Sequence, residues 1–215
     1  MTLLILFGLL SVFLAVLGVA WLRFNTARKA NKGRLSSDQS VQNTQTADWI
    51  IYYASQRGRA KTLALQSARS LELGGMVVDV HSLSDIKPNE LEGKTNGLFI
   101  TSTFGSGQAP EHARKFERTL KKNQPNLSTL NFAVLALGDK QYDRFCGFGK
   151  TLNQWLTSCQ AKPIAPVVTV SQMDIEAINT WQRFIQGLGG NLSAFEAESA
   201  TLASVKTHND NVAEK

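Results

Sequence analysis

The sequence predicts an α/β domain, a five-stranded parallel sheet with helices on both faces, preceded by one membrane-spanning helix. Three observations carry this reading. From residue 48 to 190, short β-branched and apolar runs alternate with segments of helical spacing. The run 131–137 is almost wholly apolar, as a strand covered on both faces must be. Residues 3–22 carry no charge, and Ser11 is their only polar side chain, so they are long enough to cross bilayer hydrocarbon as a helix.

The first strand covers Ile50, Ile51, Tyr52, Tyr53 and Ala54, and the turn Ser55-Gln56-Arg57-Gly58-Arg59-Ala60 follows it. Helical spacing then places Ala60, Leu63, Ala64, Ala68 and Leu71 on one face, and Gly74-Gly75 ends the helix. Strands follow at 76–80 and 97–101, with at most a short helix near Asn89 between them. Pro110 suits the first turn of a helix whose inward residues are Ala113, Phe116 and Leu120. After the strand 131–137 and the loop 138–145, Phe148, Leu152, Trp155, Leu156 and Cys159 mark the next helix. A fifth strand is expected at 164–170. Asp174 then caps a last helix that buries Ile178, Trp181, Ile185 and Leu188 and stops at Gly189-Gly190.

These signals divide the chain into an anchor at 1–23, a basic and then polar tether at 24–46, a domain at 47–190 and a flexible tail at 191–215. A retained anchor is expected rather than a cleaved signal, because no positive charge precedes the apolar run and the run is long for a signal core. Arg23, Arg28, Lys29, Lys32 and Arg34 follow it, so the domain is expected on the cytoplasmic side of the inner membrane, behind a single pass. Without those five bases the chain has 18 Lys plus Arg against 17 Asp plus Glu. The overall charge of +6 is therefore mostly juxtamembrane and gives no reason to expect a nucleic-acid partner. Cys146 and Cys159 fit no metal spacing, and the three histidines are scattered, so no metal site is expected.

In a parallel sheet the loops after the strands gather on one edge, where ligands bind. Three such loops stand out: 55–59, 102–107 and 138–145. Their segments carry a resemblance. YASQRGRA is similar to the phosphate loop ASQTGTAE, TSTFGSGQAP to TSTYGDGEPP, and FAVLALGDKQYDRFCGFGK to FAVFGLGDSSYEHFC. In this order and spacing, the chain from about 48 to 190 resembles flavodoxin, in particular the FMN-binding domain of diflavin reductases of the sulfite reductase flavoprotein type.

The resemblance implies a flavodoxin-like doubly wound sheet of strand order 2-1-3-4-5 and FMN as cofactor. It places Ser55, Gln56 and Gly58 around the FMN phosphate, with Arg57, Arg59 and Ala60 in the same loop. Thr101, Ser102, Thr103, Phe104, Gly105 and Gly107 would border the ring system, with Phe104 against one face. Leu137, Gly138 and Asp139 open the third loop, Tyr142 would stack on the other face, and Phe145 and Cys146 complete the motif as packing. No residue is required as acid, base or nucleophile.

The phosphate loop also departs from the family: Arg57 and Arg59 stand where the family has threonines, and Lys61 replaces an acid. Either an arginine grips the phosphate by charge-assisted bonds, or the site has decayed, or these bases point outward to a partner or membrane. Ser106 and Gln108 replace acids near the flavin edge, so a less negative reduction potential than in acidic flavodoxins is expected. The function so implied is a membrane-tethered electron-transfer module. It would take electrons from a reductase acting in trans, since no FAD or NADPH domain lies within the 215 residues, and pass them to a redox acceptor that is not basic. Two rivals stand beside it: an FMN-less interaction subunit of the same fold, and a small NADPH-dependent quinone or flavin reductase.

Overall fold

The computed structural model describes residues 46–195. The expected membrane helix, the tether and the chain after 195 lie outside the described residues. Among the described residues no helix is long and apolar enough to cross a membrane.

Strands β1 (Trp49–Ala54), β2 (Val78–Ser82), β3 (Asn96–Ser102) and β4 (Asn131–Gly138) pair in parallel, in the order β2-β1-β3-β4. Ile51 lies against Leu98 across β1 and β3, and Leu98 against Ala133 across β3 and β4. Helices α1 (Arg59–Leu73), α2 (Arg114–Leu120), α3 (Gly147–Ser158) and α4 (Ile175–Gly187) connect or follow the strands. The short segment near Asn89 is a 3-10 turn, Pro88–Leu91, and a second, Glu111–Ala113, leads into α2.

Alternation along β3 divides the core in two. Leu98 and Ile100 point to one face, where Ala60, Leu63, Ala64, Ala68 and Leu71 of α1 meet Trp181 and Ile185 of α4. Phe99 points to the other, where Phe116 and Leu120 of α2 meet Phe148, Leu152 and Leu156 of α3. Both faces of the central strands are thus covered, which is why they read as continuous apolar runs. The helix faces expected from spacing are the buried ones, with Ile178 and Leu188 at the margin. Asp174 caps α4 by accepting from the Glu176 N–H.

The fifth strand differs from expectation. It is two short pieces, β5 (Lys162–Pro163) and β6 (Val168–Ser171), both paired with β4. Phe132 lies opposite Pro163 and Leu135 opposite Val168, so residues 164–167 bulge against only two residues of β4. The N–H groups of Lys162 and Ile164 donate to the Leu130 and Phe132 carbonyls, so Pro163 costs this ladder no bond. Pro166 lies inside the bulge with no N–H to give, and pairing resumes at Val168.

The domain also runs beyond Gly190. The Asn191 N–H donates to the Ser70 carbonyl, Ser70 Oγ donates to the Asn191 carbonyl, and Phe195 is 3% exposed within the α1–α4 core. Residues 191–195 therefore belong to the fold, and a phenylalanine at the end of a polar stretch was the one local sign of it.

At the centre of the α1–α4 core, the fully buried Trp181 donates its indole N–H to Ser67 Oγ at 2.9 Å, and Ser67 Oγ donates to the Leu63 carbonyl. Ser67→Ala leaves a buried donor unpaired and is expected to cost about 1–3 kcal/mol in urea unfolding. A loss within experimental error would mean that the indole finds another acceptor.

Candidate functional site

The carboxyl ends of β1, β3, β4 and β6 share one edge, and the loops leaving them enclose a cavity of about 400 Å³. Its size falls within the usual range for small-molecule sites.

The first loop ends at Gly58, whose φ of +84° is left-handed and therefore suits glycine. This residue caps α1, and no side chain does so. The first intrahelical bond runs from the Thr62 N–H to the Gly58 carbonyl. The N–H groups of Arg59, Ala60 and Lys61 thus lie at an open helix start, where partial positive charge favours an anion. Arg57 and Arg59 are exposed and line the cavity. Ser55 Oγ is buried without a hydrogen-bond partner among the described residues.

Gln56 has a different role from the one expected. Its N–H donates to Ser102 Oγ at 3.0 Å, and its Oε1 accepts from the Glu111 N–H at 3.0 Å. It fastens the first loop to the second, because its amide oxygen can satisfy an orphan N–H at the next helix start.

The second loop is a tight hairpin in which Phe104 and Gln108 exchange backbone bonds of 2.9 and 3.0 Å. Gly107, at φ +101°, lies so near the third loop that a Cβ there would meet Arg144 Cβ at 2.6 Å. Phe104 is 41% exposed, with the Arg114 guanidinium 5.7 Å from its ring centre. Thr103 lines the cavity, and its Oγ1 is buried without a partner. Thr101 is a correction. It is fully buried behind the loop, with Oγ1 near Gly149 of α3, because its place on β3 points it into the sheet's α3 side.

In the third loop Leu137, Gly138, Asp139 and Tyr142 line the cavity, and Tyr142 is 62% exposed. The Asp139 carboxylate accepts from Gln172 Nε2 at 2.9 Å and from the Gln141 N–H at 2.9 Å. These bonds, the Gln172 one first, hold its carboxyl below the usual range. Phe145 packs against the α2–α3 core and only borders the site. Cys146 caps α3 with φ +55° and directs its Sγ to the Ala136 carbonyl at 3.1 Å.

Four cavity residues escaped the sequence reading: Arg144, Val170, Gln172 and Met173. The last three belong to β6 and the loop after it. The available signal was positional, since this loop also leaves the carboxyl end of a strand. Gln172 and Met173 have φ of +49° and +65°, two successive non-glycine residues in the left-handed region. Such strain costs about 1–3 kcal/mol per residue and persists where surrounding contacts impose it. Here the Asp139–Gln172 bond and the Lys140 N–H to Ser171 Oγ bond tie the two loops together.

Of the residues expected from sequence, Gln56, Arg57, Arg59, Ser102, Thr103, Phe104, Gly105, Leu137, Gly138, Asp139, Tyr142 and Cys146 line the cavity. Ser55, Gly58, Ala60, Thr101, Gly107 and Phe145 surround it. Ala60 is wholly buried, so only its N–H is available to a ligand. The cavity is thus bordered by a helix start that suits an anion and by two exposed flat rings, Phe104 and Tyr142.

Burial pushes the Cys146 thiol up to about 11 from an ordinary 9.0. The neutral form is the one the fold accommodates, so this stabilisation is complete below pH 9 and is lost as pH rises towards 11. Native protein at pH 8 is expected to leave Cys146 unmodified by iodoacetamide, and Cys146→Ser is expected to flatten the alkaline loss of stability. Rapid labelling at pH 8 would contradict the placement.

Comparison with known proteins agrees with this architecture. The flavodoxin family profile matches residues 51–190. The sulfite reductase [NADPH] flavoprotein alpha-component of Bacillus subtilis is 43% identical over 119 residues, which cover 55% of this chain and 20% of that protein. Its counterpart from Shewanella sp. (strain MR-4) is 31% identical over 195 residues, 89% of this chain and 31% of the relative. The chain thus spans a fifth to a third of these relatives. Among solved structures, the Streptococcus pneumoniae TIGR4 flavodoxin superposes with a TM-score of 0.56 at 24% identity, covering 64% of this chain and 94% of the other. Oxidised flavodoxin 2 from Bacillus cereus does so at 0.56 and 22%, covering 71% and 99%. Both structures share the fold. With this match over most of the domain, and with the start of α1 and two exposed rings bordering one cavity at the sheet edge, the chain belongs to the flavodoxin family, whose cofactor is FMN.

Proposed function

We propose that this protein is an FMN electron-transfer module, held at the cytoplasmic face of the inner membrane by residues 3–22. In this reading it takes electrons from a reduced flavoprotein donor in trans and passes them to a redox acceptor protein at the membrane. The observation that carries the reading is one cavity bordered by the start of α1, two arginines and two exposed aromatic rings. Its chemistry fits FMN: the buried hydroxyls of Ser55 and Thr103 have no partner among the described residues, and no side chain caps the start of α1. The N–H groups of Arg59 and Ala60, with the Arg57 and Arg59 guanidiniums, would hold the phosphate. Phe104 and Tyr142 would hold the ring system, whose large flat area costs few rotatable bonds to order.

Bound FMN supplies the electron-transfer chemistry. The protein's part is to fix the cofactor and leave an edge in solvent, and the exposure of Phe104 and Tyr142 leaves that side accessible. Residues 3–22 and the five bases after them support the tether and its orientation. The names of the relatives associate those proteins with NADPH and sulfite reduction; from them this reading takes only the carrier role.

Purified full-length protein, solubilised in detergent, is expected to show flavin absorbance and to release FMN on denaturation, identified by mass spectrometry. Arg59→Ala is expected to weaken FMN binding about 10- to 100-fold while leaving riboflavin binding almost unchanged, since the loss falls on a charge-assisted phosphate contact. A colourless protein that takes up no added FMN would overturn the reading in favour of an interaction subunit. Oxidation of NADPH by the loaded protein without an added reductase would favour the self-sufficient reductase.

A further inference from the structure

The bases around the site are more numerous than one phosphate requires. Residues 55–62 and 138–150, the first and third loops with the helix starts they lead into, carry six Lys and Arg against Asp139 and Asp143. Residues 46–195 as a whole hold 16 bases and 12 acids, so these two stretches contain the domain's entire excess of positive charge. Asp139 lines the cavity and is bound to Gln172 and Gln141, which leaves Asp143 as the one acid of these stretches not held by such bonds.

The six bases divide by position. Arg57, Arg59 and Arg144 line the cavity. Lys61, Lys140 and Lys150 do not, and all three are exposed. Among the described residues the one ion pair joins Arg69 and Glu72, so none of these three lysines is neutralised by a described carboxylate. Lys140 and Lys150 are held instead by an aromatic ring, with Nζ at 6.0 and 5.3 Å from the centre of Phe145. Lys61 and Lys150 sit in the first turns of α1 and α3, which contain no acid. A cation there opposes the helix dipole, so helix stability does not account for either residue.

We propose that Lys61, Lys140 and Lys150 form a docking rim for an acidic surface on the redox-partner protein, centred on exposed Tyr142. The inference rests on the electron-carrier reading and adds the chemical class of the partner. Electron transfer requires the partner to approach the face where the cofactor edge is exposed, and complementary charge on that face speeds the encounter and sets its orientation. A carboxylate-rich partner fits the rim, and a basic one is repelled by it.

The test uses the full chain in detergent, with its flavin content measured separately by absorbance. Binding is read by biolayer interferometry against two haem proteins, the acidic soluble domain of cytochrome b5 and the basic cytochrome c. Wild type is expected to prefer the acidic protein, with affinity falling at least tenfold between about 20 and about 200 mM salt. The triple variant K61E/K140E/K150E is expected to lose that binding at least tenfold, the double variant K140E/K150E to lose most of it with unchanged flavin content, and K61Q/K140Q/K150Q to fall between wild type and the triple-Glu variant. Salt-insensitive binding, no preference for the acidic protein, or an unchanged triple-Glu variant would overturn the proposal. So would a variant that keeps the acidic protein but loses selectivity for phosphatidylglycerol over phosphatidylcholine vesicles, since the lysines would then serve the membrane. Because binding does not need the cofactor, a chain without flavin sinks the carrier reading while the rim is still read.

Discussion

Parallel pairing of β1, β3 and β4 is the constraint from which the rest follows. A parallel sheet cannot be closed by hairpins, so each strand must return through a crossover that covers a face. Leu98, Phe99 and Ile100 are buried by opposite layers in turn, and α1 with α4 and α2 with α3 supply those layers. The same geometry sends every strand-to-helix loop to one edge. A site built from sequence-distant loops is therefore a consequence of how the core is buried, and the chemistry of those loops is free to vary.

Hydrogen bonds tie the loops to the strand ends and to one another. Gln56 bridges to Ser102 and Glu111, the Thr103 N–H donates to the Leu137 carbonyl, and Asp139 binds Gln172. Among the described residues four buried side-chain atoms lack a partner: Ser55 Oγ, Thr101 Oγ1, Thr103 Oγ1 and Arg114 Nε. The Ser55 and Thr103 hydroxyls belong to the loops that form the cavity, as does the α1 start that no side chain caps. Unmatched buried polar groups are costly, and their grouping at one place is the physical sign of a ligand that completes them. The strained pair Gln172 and Met173 lies in the same network, where the bonds to the third loop offset the strain.

Much of this was legible in the sequence because periodicity reports burial directly. The apolar run 131–137 and the helix faces of Ala60–Leu71 and Phe148–Cys159 follow from it without knowledge of neighbours. What escaped depends on pairs far apart in the chain. Nothing local tells that Gln172 will meet Asp139, or that Asn191 will meet Ser70 and carry Phe195 into the core. Thr101 and Gln56 sit inside a motif, and position in a motif does not say whether a side chain faces a cavity or the next element. The divided fifth strand does have a local sign, Pro166, whose missing N–H stands against the β-branched composition around it.

The central claim is that the start of α1, which no side chain caps, and the two exposed rings hold one FMN. A crystal structure of the protein grown with FMN tests it most directly. The account predicts the phosphate against the N–H groups of Arg59 and Ala60, with the ring system in the cavity between Phe104 and Tyr142. A flavin bound elsewhere, or a cavity closed by its own side chains at saturating FMN, would contradict it.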